Sequence, residues 1–328
     1  MMDYGYFCFS LLASLAQPDT ARIHRHLLMA DSVLSARYYG GNIDTNYIQR
    51  PAGRLTLKLR FNVSGAGIEA SGKMNETFQS HHEADFKGTV SVAATYRGIS
   101  AGLALNPRAL PGKYKDYELN LNSYGNRMGF DVVYQRAKNF TGWLQVGDGP
   151  RIDVPHDLMT VHTLNLNGYY AFNRRRFSYP AAFTQSYIQR RSVGSFMIGA
   201  SFQGQQIETH HNETLDNPEG KLQIVNFGLG AGYGYNLVLP HQWLIHLSSL
   251  PTFIVYSRNR MWLNDERQTM KYRFPEVIIT GRGAVVHSWS RYFVGSTMVF
   301  NFTAIGDEDQ LEVRNTKWRI RTFIGMRF

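Results

Sequence analysis

The chain has 328 residues, a formal net charge of +10, 43% hydrophobic residues and one cysteine. No run of about eighteen uncharged apolar residues occurs, which argues against a membrane-spanning helix; it leaves open membrane-spanning strands, whose apolar residues come only at alternate positions. The basic residues seldom form runs and many fall at every second position, a pattern that suits a polar barrel wall better than a nucleic-acid surface, so no nucleic-acid partner and no cofactor are expected.

Residues 1–16 read as a secretory signal peptide with an atypical n-region. Tyr4 to Ala16 is apolar and Ser14-Leu15-Ala16 offers small residues for cleavage, but basic residues are missing and Asp3 has the wrong sign. Cys8 lies inside this stretch, so the mature chain is expected to carry no cysteine and no disulfide framework. Residues 17–52 read as a short periplasmic segment or plug, with Ile23, Leu27 and Leu34 at helical spacing.

From residue 53 to 328 the period is two. Leu55, Leu57, Leu59, Phe61 and Val63 alternate with Arg54, Thr56, Lys58, Arg60 and Asn62. The same rhythm returns in Val90–Tyr96, Ile99–Leu105, Leu119–Leu121, Phe130–Tyr134, Leu164–Phe172 and Tyr292–Phe302. Short turns near Gly98, Gly125, Asn173, Pro240 and Trp289 alternate with longer polar loops near 73–84, 107–112, 140–156, 207–220, 258–269 and 303–309. Arg176 to Glu208 reads as one kinked strand, as two strands, or as a segment folded into a lumen. Short turns on one side and long loops on the other are the signature of a transmembrane antiparallel β-barrel, here all-β with about twelve strands. A soluble sandwich would instead need two sheets to bury their apolar faces together.

The last strand is the clearest. Trp318, Ile320, Thr322, Ile324, Met326 and Phe328 form an oily face, while Lys317, Arg319, Arg321 and Arg327 lie on the other. Trp318 and the terminal Phe328 look like a membrane-insertion signal, so the expected partners are outer-membrane lipid and the barrel assembly machinery.

Asp44-Thr45-Asn46-Tyr47-Ile48, the basic turn from Asn173 to Tyr179, Ser192-Val193-Gly194-Ser195-Phe196, the stretch Gly228 to Tyr235 and the C-terminal strand form a set. Together, over about residues 40–328, they resemble a Gram-negative outer-membrane β-barrel family, domain of unknown function 4421. The resemblance implies an outer-membrane barrel; it brings no activity, so no catalytic residue is carried over.

Four constellations invite chemistry. A closed barrel bonds its first strand to its last, which gathers Arg54, Lys58, Arg60, Lys317, Arg319 and Arg321 on one lumen wall with Glu118, Asp131 and Glu276 as acidic partners. Such a cluster either rigidifies the wall through salt bridges or selects a small anionic solute. Gly228, Gly230, Gly232 and Gly234 form a bare stripe on a lumenal face, against which a plug packs (Ser186 to Ser195, or the N-terminal helix), unless the stripe serves strand curvature. His81-His82-Glu83 and His210-His211 are either metal ligands or solvated loop residues, and no metal is expected. His162 falls on the outer wall, where a lipid hydrolase would need a serine beside it, and none has that register. The functional expectation is a channel or solute-handling barrel with a cationic lumen; the alternatives are a plugged anchoring barrel and, third, a lipid hydrolase.

Overall fold

In the computed structural model the period-two residues form strands throughout. In chain order they are β1 (Ile48–Gln49), β2 (Leu55–Lys73), β3 (Thr77–Ala84), β4 (Lys87–Tyr96), β5 (Ile99–Leu105), β6 (Tyr117–Tyr124), β7 (Met128–Ala137), β8 (Phe140–Val146), β9 (Ile152–Val154) and β10 (Met159–Ala171). They continue with β11 (Ile188–Gln189), β12 (Val193–Thr209), β13 (Gly220–Leu239), β14 (Trp243–Ser257), β15 (Arg260–Leu263), β16 (Glu266–Thr269), β17 (Val277–Trp289), β18 (Tyr292–Asp307) and β19 (Leu311–Arg327). The structure describes residues 42–328 apart from 52, 54, 74–75, 97–98, 106–116, 139, 157, 211–218, 264–265, 270–271, 273 and 308–310, together with 28, 29 and 32. Ile43–Phe328 is one compact unit and Met1–Asn42 another; the signal-peptide reading of 1–16 lies outside the described residues. No helix among the described residues is long and apolar enough to cross a membrane.

Among the described residues the wall is a curled antiparallel sheet of β2, β4, β5, β6, β7, β10, β12, β13, β14, β17, β18 and β19, in line with the barrel of about twelve strands expected. β19 closes on β2, with Arg321 opposite Asn62 and Met326 opposite Leu57. The C-terminal residue completes the seam: Phe328 N donates to Leu55 O at 2.7 Å and Leu55 N to Phe328 O at 3.1 Å. At the end that holds the C-terminus the connection at Pro240–Gln242 is tight, with His241 and Gln242 at φ of 59° and 61°, whereas the one after Asn173, expected as a short turn, is the long span from β10 to β12. Positive φ at two successive residues gives the primed twist a two-stranded ribbon needs.

The wall strands are longer than a membrane requires. β13 runs 20 residues, about twice the 9–11 that cross a bilayer, and its polarity changes sides along the way. From Phe227 onward Phe227, Leu229, Tyr233 and Tyr235 point outward and are exposed, while inward positions carry mainly glycine and asparagine. In its first half Ile224 points inward and is fully buried. β2 and β19 repeat the change. Leu57, Leu59 and Phe61 face out, but beyond Gly65 the buried inward residue is Ile68. Ile320 and Ile324 face out, but Leu311 and Val313 face in.

Below the switch the barrel has the inverted build of a membrane protein, oily outside and polar within. Above it the barrel has the build of a soluble one. Ile68, Val161, Ile207, Ile224, Ile254, Ile278, Ile305 and Val313 meet in one cluster across the lumen. Each such side chain withdrawn from water contributes roughly 1.5–3 kcal/mol.

Strands trade partners at the same height. β2 pairs with β4 over Leu55–Ser64 and with β3 over Gly67–Lys73. β13 pairs with β14 from Asn226 onward and with β15 over Gly220–Gln223. The segments 73–84, 140–156 and 258–269, expected as loops, therefore contain β3, β8, β9, β15 and β16, which extend the wall beyond the oily band.

The span from Asn173 to Gln189, between β10 and β12, folds into the lumen, and β12 is a single strand. This resolves the reading of 176–208 in favour of the inserted segment. The segment is a plug built on one helical turn, Tyr179–Phe183. Ser178 caps it by accepting from Ala181 N at 3.3 Å, and Pro180 stands in its first turn, where no N–H is missed. β11 pairs with β1, Ile48 opposite Gln189, so the end of segment 17–52 is stitched to the plug.

Candidate functional site

The plug is seated by the lumen wall through buried polar contacts. Lys58 Nζ donates to Thr184 O and to Gln185 Oε1, both at 2.6 Å. Arg327 Nε donates to Gln185 O at 3.1 Å. Gln185 has φ 57°, a left-handed conformation that costs a non-glycine residue on the order of 1 kcal/mol; the two cations and its own bond to Ala182 O at 2.7 Å hold it there.

On β14 His246 Nδ1 lies 2.7 Å from Asn236 Oδ1, and His246 Nε2 lies 2.9 Å from Ser248 Oγ. Asn236 spends its own N–H groups on Ser178 O (3.0 Å) and Gln189 Oε1 (2.9 Å). The imidazole proton is therefore assigned to Nδ1, and Ser248 donates to Nε2. Asn–His–Ser in this order is the arrangement that activates a serine nucleophile. Here Tyr179 donates to the same Ser248 Oγ at 2.8 Å, and the rings of Phe177, Tyr179 and Phe183 close over His246 at 4.9–5.9 Å. The relay is spent on the plug and has no space for an ester.

The glycine stripe divides between its two readings. All four glycines face the lumen. A Cβ at Gly234 would stand 3.1 Å from Phe177 Cζ, so this position admits the plug. At Gly230 and Gly232 a Cβ would fall on the carbonyls of Pro251 and Ser249, so these two permit a close turn of β13 against β14. The plug residue is Phe177, from earlier in the chain than Ser186–Ser195.

Above the plug lies a polar chamber. Asp131 accepts from Arg282 Nη2 at 2.6 Å and from the Tyr124 hydroxyl, an ion pair that is buried on both sides. Lys317 reaches across the lumen to Gln135 Oε1. Arg319 and Arg321 line the same space, a cavity of about 40 Å³, with Asn165, Asn167 and Asn301. An adjoining cavity, also of about 40 Å³, is bounded by Gln135, Thr163, Gln203, Gln205, Asn315 and Lys317. Above it stands the apolar cluster, and below it the plug.

The predicted cationic residues thus share one wall but not one task. Lys58 turns down to the plug, Arg60 lies opposite Phe323 on β19, and Lys317, Arg319 and Arg321 face the chamber. Arg54 lies outside the described residues. Of the acidic partners, Asp131 pairs with Arg282. Glu276 is corrected: it is buried at the far end of the barrel, where it accepts from Gly306 N at 2.9 Å. The backbone of Glu118 is opposite Gln135, and its side chain lies outside the described residues. Trp318 faces out beside Phe86, ring centroids 5.7 Å apart, and Phe328 is exposed at the seam.

His162 is on the outer wall as expected, but its register neighbours are Gln206 and Arg136, which puts it above the oily band. His81 contacts Glu69 and Glu83, both at 3.2 Å. His211 lies outside the described residues, and no group of three metal-ligating side chains occurs among those described. Sequence reasoning missed Arg282, His246 and Gln185. The first sits between two glycines at an inward parity, which was the available signal.

The sequence matches no curated protein. Among solved structures it is similar to the outer membrane protease OmpT from Escherichia coli, with a TM-score of 0.46 and 7% identity over 85% of this chain and 97% of that one. It is also similar to the transport unit of the autotransporter AIDA-I from Escherichia coli, with a TM-score of 0.37 and 12% identity over 89% and 97% of the two chains. The translocator domain of the autotransporter NalP from Neisseria meningitidis gives a TM-score of 0.29 and 8% identity over 94% and 98%. Residues 42–328 match a family described as Domain of unknown function (DUF4421). That match takes in plug, wall and closing strand together, and the chain belongs to the DUF4421 family.

Proposed function

We propose that this protein is a solute-handling barrel of a Gram-negative outer membrane, closed at rest, whose cationic chamber receives a small anion when the plug moves. An oily band around a polar lumen is the build of outer-membrane barrels. The observation that carries the functional reading is the chamber itself. Arg319, Arg321 and Lys317 line a polar compartment held between the plug below and an apolar layer above. Three cations on one lumen wall against Asp131, the single carboxylate among the described residues that line the space, favour the entry of an anion over a cation.

Single-channel recording of the refolded barrel under a salt gradient tests this. The native protein is expected to be silent, and a variant with its plug loosened, Lys58→Met with Arg327→Met, to conduct with anion preference. Steady conductance of the native protein would overturn the closed state. The dense bonding of Gln185, Gln189 and Asn236 favours a second reading, a permanently plugged anchoring barrel; silence from both proteins would select it.

A further inference from the structure

The bonds that hold the plug gather arginines that the sequence keeps apart. Arg174, Arg175 and Arg176 precede the plug helix, Arg190 and Arg191 follow β11, and all five are exposed. The segment before β1 ties the two groups together. Asp44 N donates to Arg175 O at 2.8 Å, and Arg190 N donates to Tyr47 O at 2.7 Å. The guanidinium groups of Arg176 and Arg191 lie 5.1 and 5.8 Å from the Tyr47 ring. A sixth arginine joins from the β6–β7 turn. Ala171 N donates to Arg127 O at 2.8 Å, which sets Arg127 at the foot of β10, and its guanidinium lies 5.5 Å from the Tyr170 ring. Outside the lumen, Asp44 is the one side-chain carboxylate of this sector among the described residues, and it pairs with Arg176 at 3.2 Å.

The cluster adjoins the oily band. Phe172 follows β10 directly, its N–H donates to Phe196 O at 3.1 Å, and Phe172, Phe196 and Met128 are all exposed. The Tyr233 ring lies 5.1 Å from that of Phe196. Aromatic rings at such a margin mark the boundary between membrane and water, so the guanidinium groups stand at headgroup depth. The short turns of outer-membrane barrels face the periplasm, where the leaflet is phospholipid. Arginines gathered around one carboxylate set up a positive field. A phosphate diester relieves it, because Arg matches phosphate with its fork of N–H groups. An acidic protein would meet the arginines but leave the apolar margin beside them unused.

We infer that this sector of the rim is a binding site for the headgroup of an anionic phospholipid, which clasps the chain at both ends of the plug. Arg174, Arg175 and Arg190 attract the phosphate, and Phe172 and Phe196 flank the acyl chains. The site lies outside the lumen, so it stands whether or not the barrel conducts.

The test is native mass spectrometry of the detergent-folded full chain with equal amounts of phosphatidylglycerol and phosphatidylcholine, and with polyglutamate as a soluble acidic competitor. The native protein is expected to retain phosphatidylglycerol at least about ten-fold over phosphatidylcholine, because each arginine near an anionic headgroup adds its own attraction. Arg174→Gln/Arg175→Gln/Arg190→Gln spares the two arginines that hold Tyr47 and should bring the ratio close to one. Arg291→Gln, on the β17–β18 turn at the same end, should leave it unchanged. Heat-modifiable mobility confirms that each variant is folded. In phosphatidylcholine vesicles, added phosphatidylglycerol should slow amide exchange within 179–189 of the native protein and not of the triple variant. Equal retention of the two lipids by the native protein would overturn the site. A preference that survives the triple variant, or is lost in Arg291→Gln, would overturn its assignment to this sector. Displacement of phosphatidylglycerol by polyglutamate would make the sector a surface for an acidic protein instead, and exchange that ignores the lipid would refute the clasp on the plug.

Discussion

Lys58 of the first wall strand donates to Gln185 of the plug at 2.6 Å, five residues from the seam at which Gly53 meets the terminal Phe328. The barrel's closure and its stopper thus share a strand. Lys58 is almost fully buried, and its ammonium is bonded to two oxygens of the plug, so the plug compensates a charge that the lumen would otherwise leave exposed to a dry interior.

Lys58→Met is therefore expected to loosen the plug while the wall stays folded. A hydrogen bond to a charged group contributes about 1.5–3 kcal/mol, so amide exchange within 179–189 should quicken by roughly ten- to a hundred-fold. Exchange in β12 and β19 should not change. Equal acceleration in plug and wall would show that Lys58 supports the whole barrel.

Asp131 and Arg282 form the buried pair of the chamber. Removing one partner of such a pair costs about 3–5 kcal/mol, because the other charge is left uncompensated, whereas replacing both by apolar residues is often neutral. Asp131→Asn should lower the urea midpoint of the refolded barrel sharply, and Asp131→Leu/Arg282→Met should recover most of it. A double variant as unstable as the single would mean that the pair is held by more than its own charges.

Much of this geometry was legible in the chain. Period two is a local property, so the faces of Leu55–Val63 and Lys317–Phe328 followed from parity alone, and closure then put Lys58 and Lys317 on one wall. The plug was not legible as such. Its helix is five residues long, and its polar residues become meaningful only beside Asn236 and Lys58, which are far away in sequence. Arg282 has an inward parity, but parity names no partner, and Asp131 is 151 residues away. The inversion of polarity was present in β13, where Ile224 and Phe227 have opposite parity, but a change of phase reads as irregularity until register shows that β2 and β19 change at the same height.

The glycines give a graded test of which backbone approaches are tight. A Cβ at Gly88 meets nothing within 4 Å, at Gly234 it meets Phe177 and Ser248 near 3.1 Å, and at Gly230 it falls on the backbone of Pro251 and Thr252. Side chains yield more readily than paired backbone. Gly88→Ala should be neutral, Gly234→Ala should cost about 1–3 kcal/mol as a small overpacking, and Gly230→Ala should lower refolding yield most. Yields in any other order would mean that β13 relaxes away from β14 without cost.

The inversion of polarity makes the sharpest demand, because it predicts opposite outcomes for one chemical change at two heights of one strand. Val63 faces out within the oily band, and Ile68 faces in above it, 5% exposed in the apolar cluster. Ser71, farther along, shares its outward face with Glu69. Val63→Arg should cost up to about 2–4 kcal/mol in a bilayer, the penalty for arginine near the midplane, and less toward the interface; in detergent, which adapts around the charge, the cost should shrink. Ile68→Arg should be as damaging in detergent as in a bilayer, because the dry environment there is protein rather than lipid. Ser71→Arg should be neutral in both. Urea midpoints of the three variants in vesicles and in micelles decide it. If Ile68→Arg were rescued by detergent, or Ser71→Arg were sensitive to lipid, the upper barrel would lie within the membrane and not stand above it.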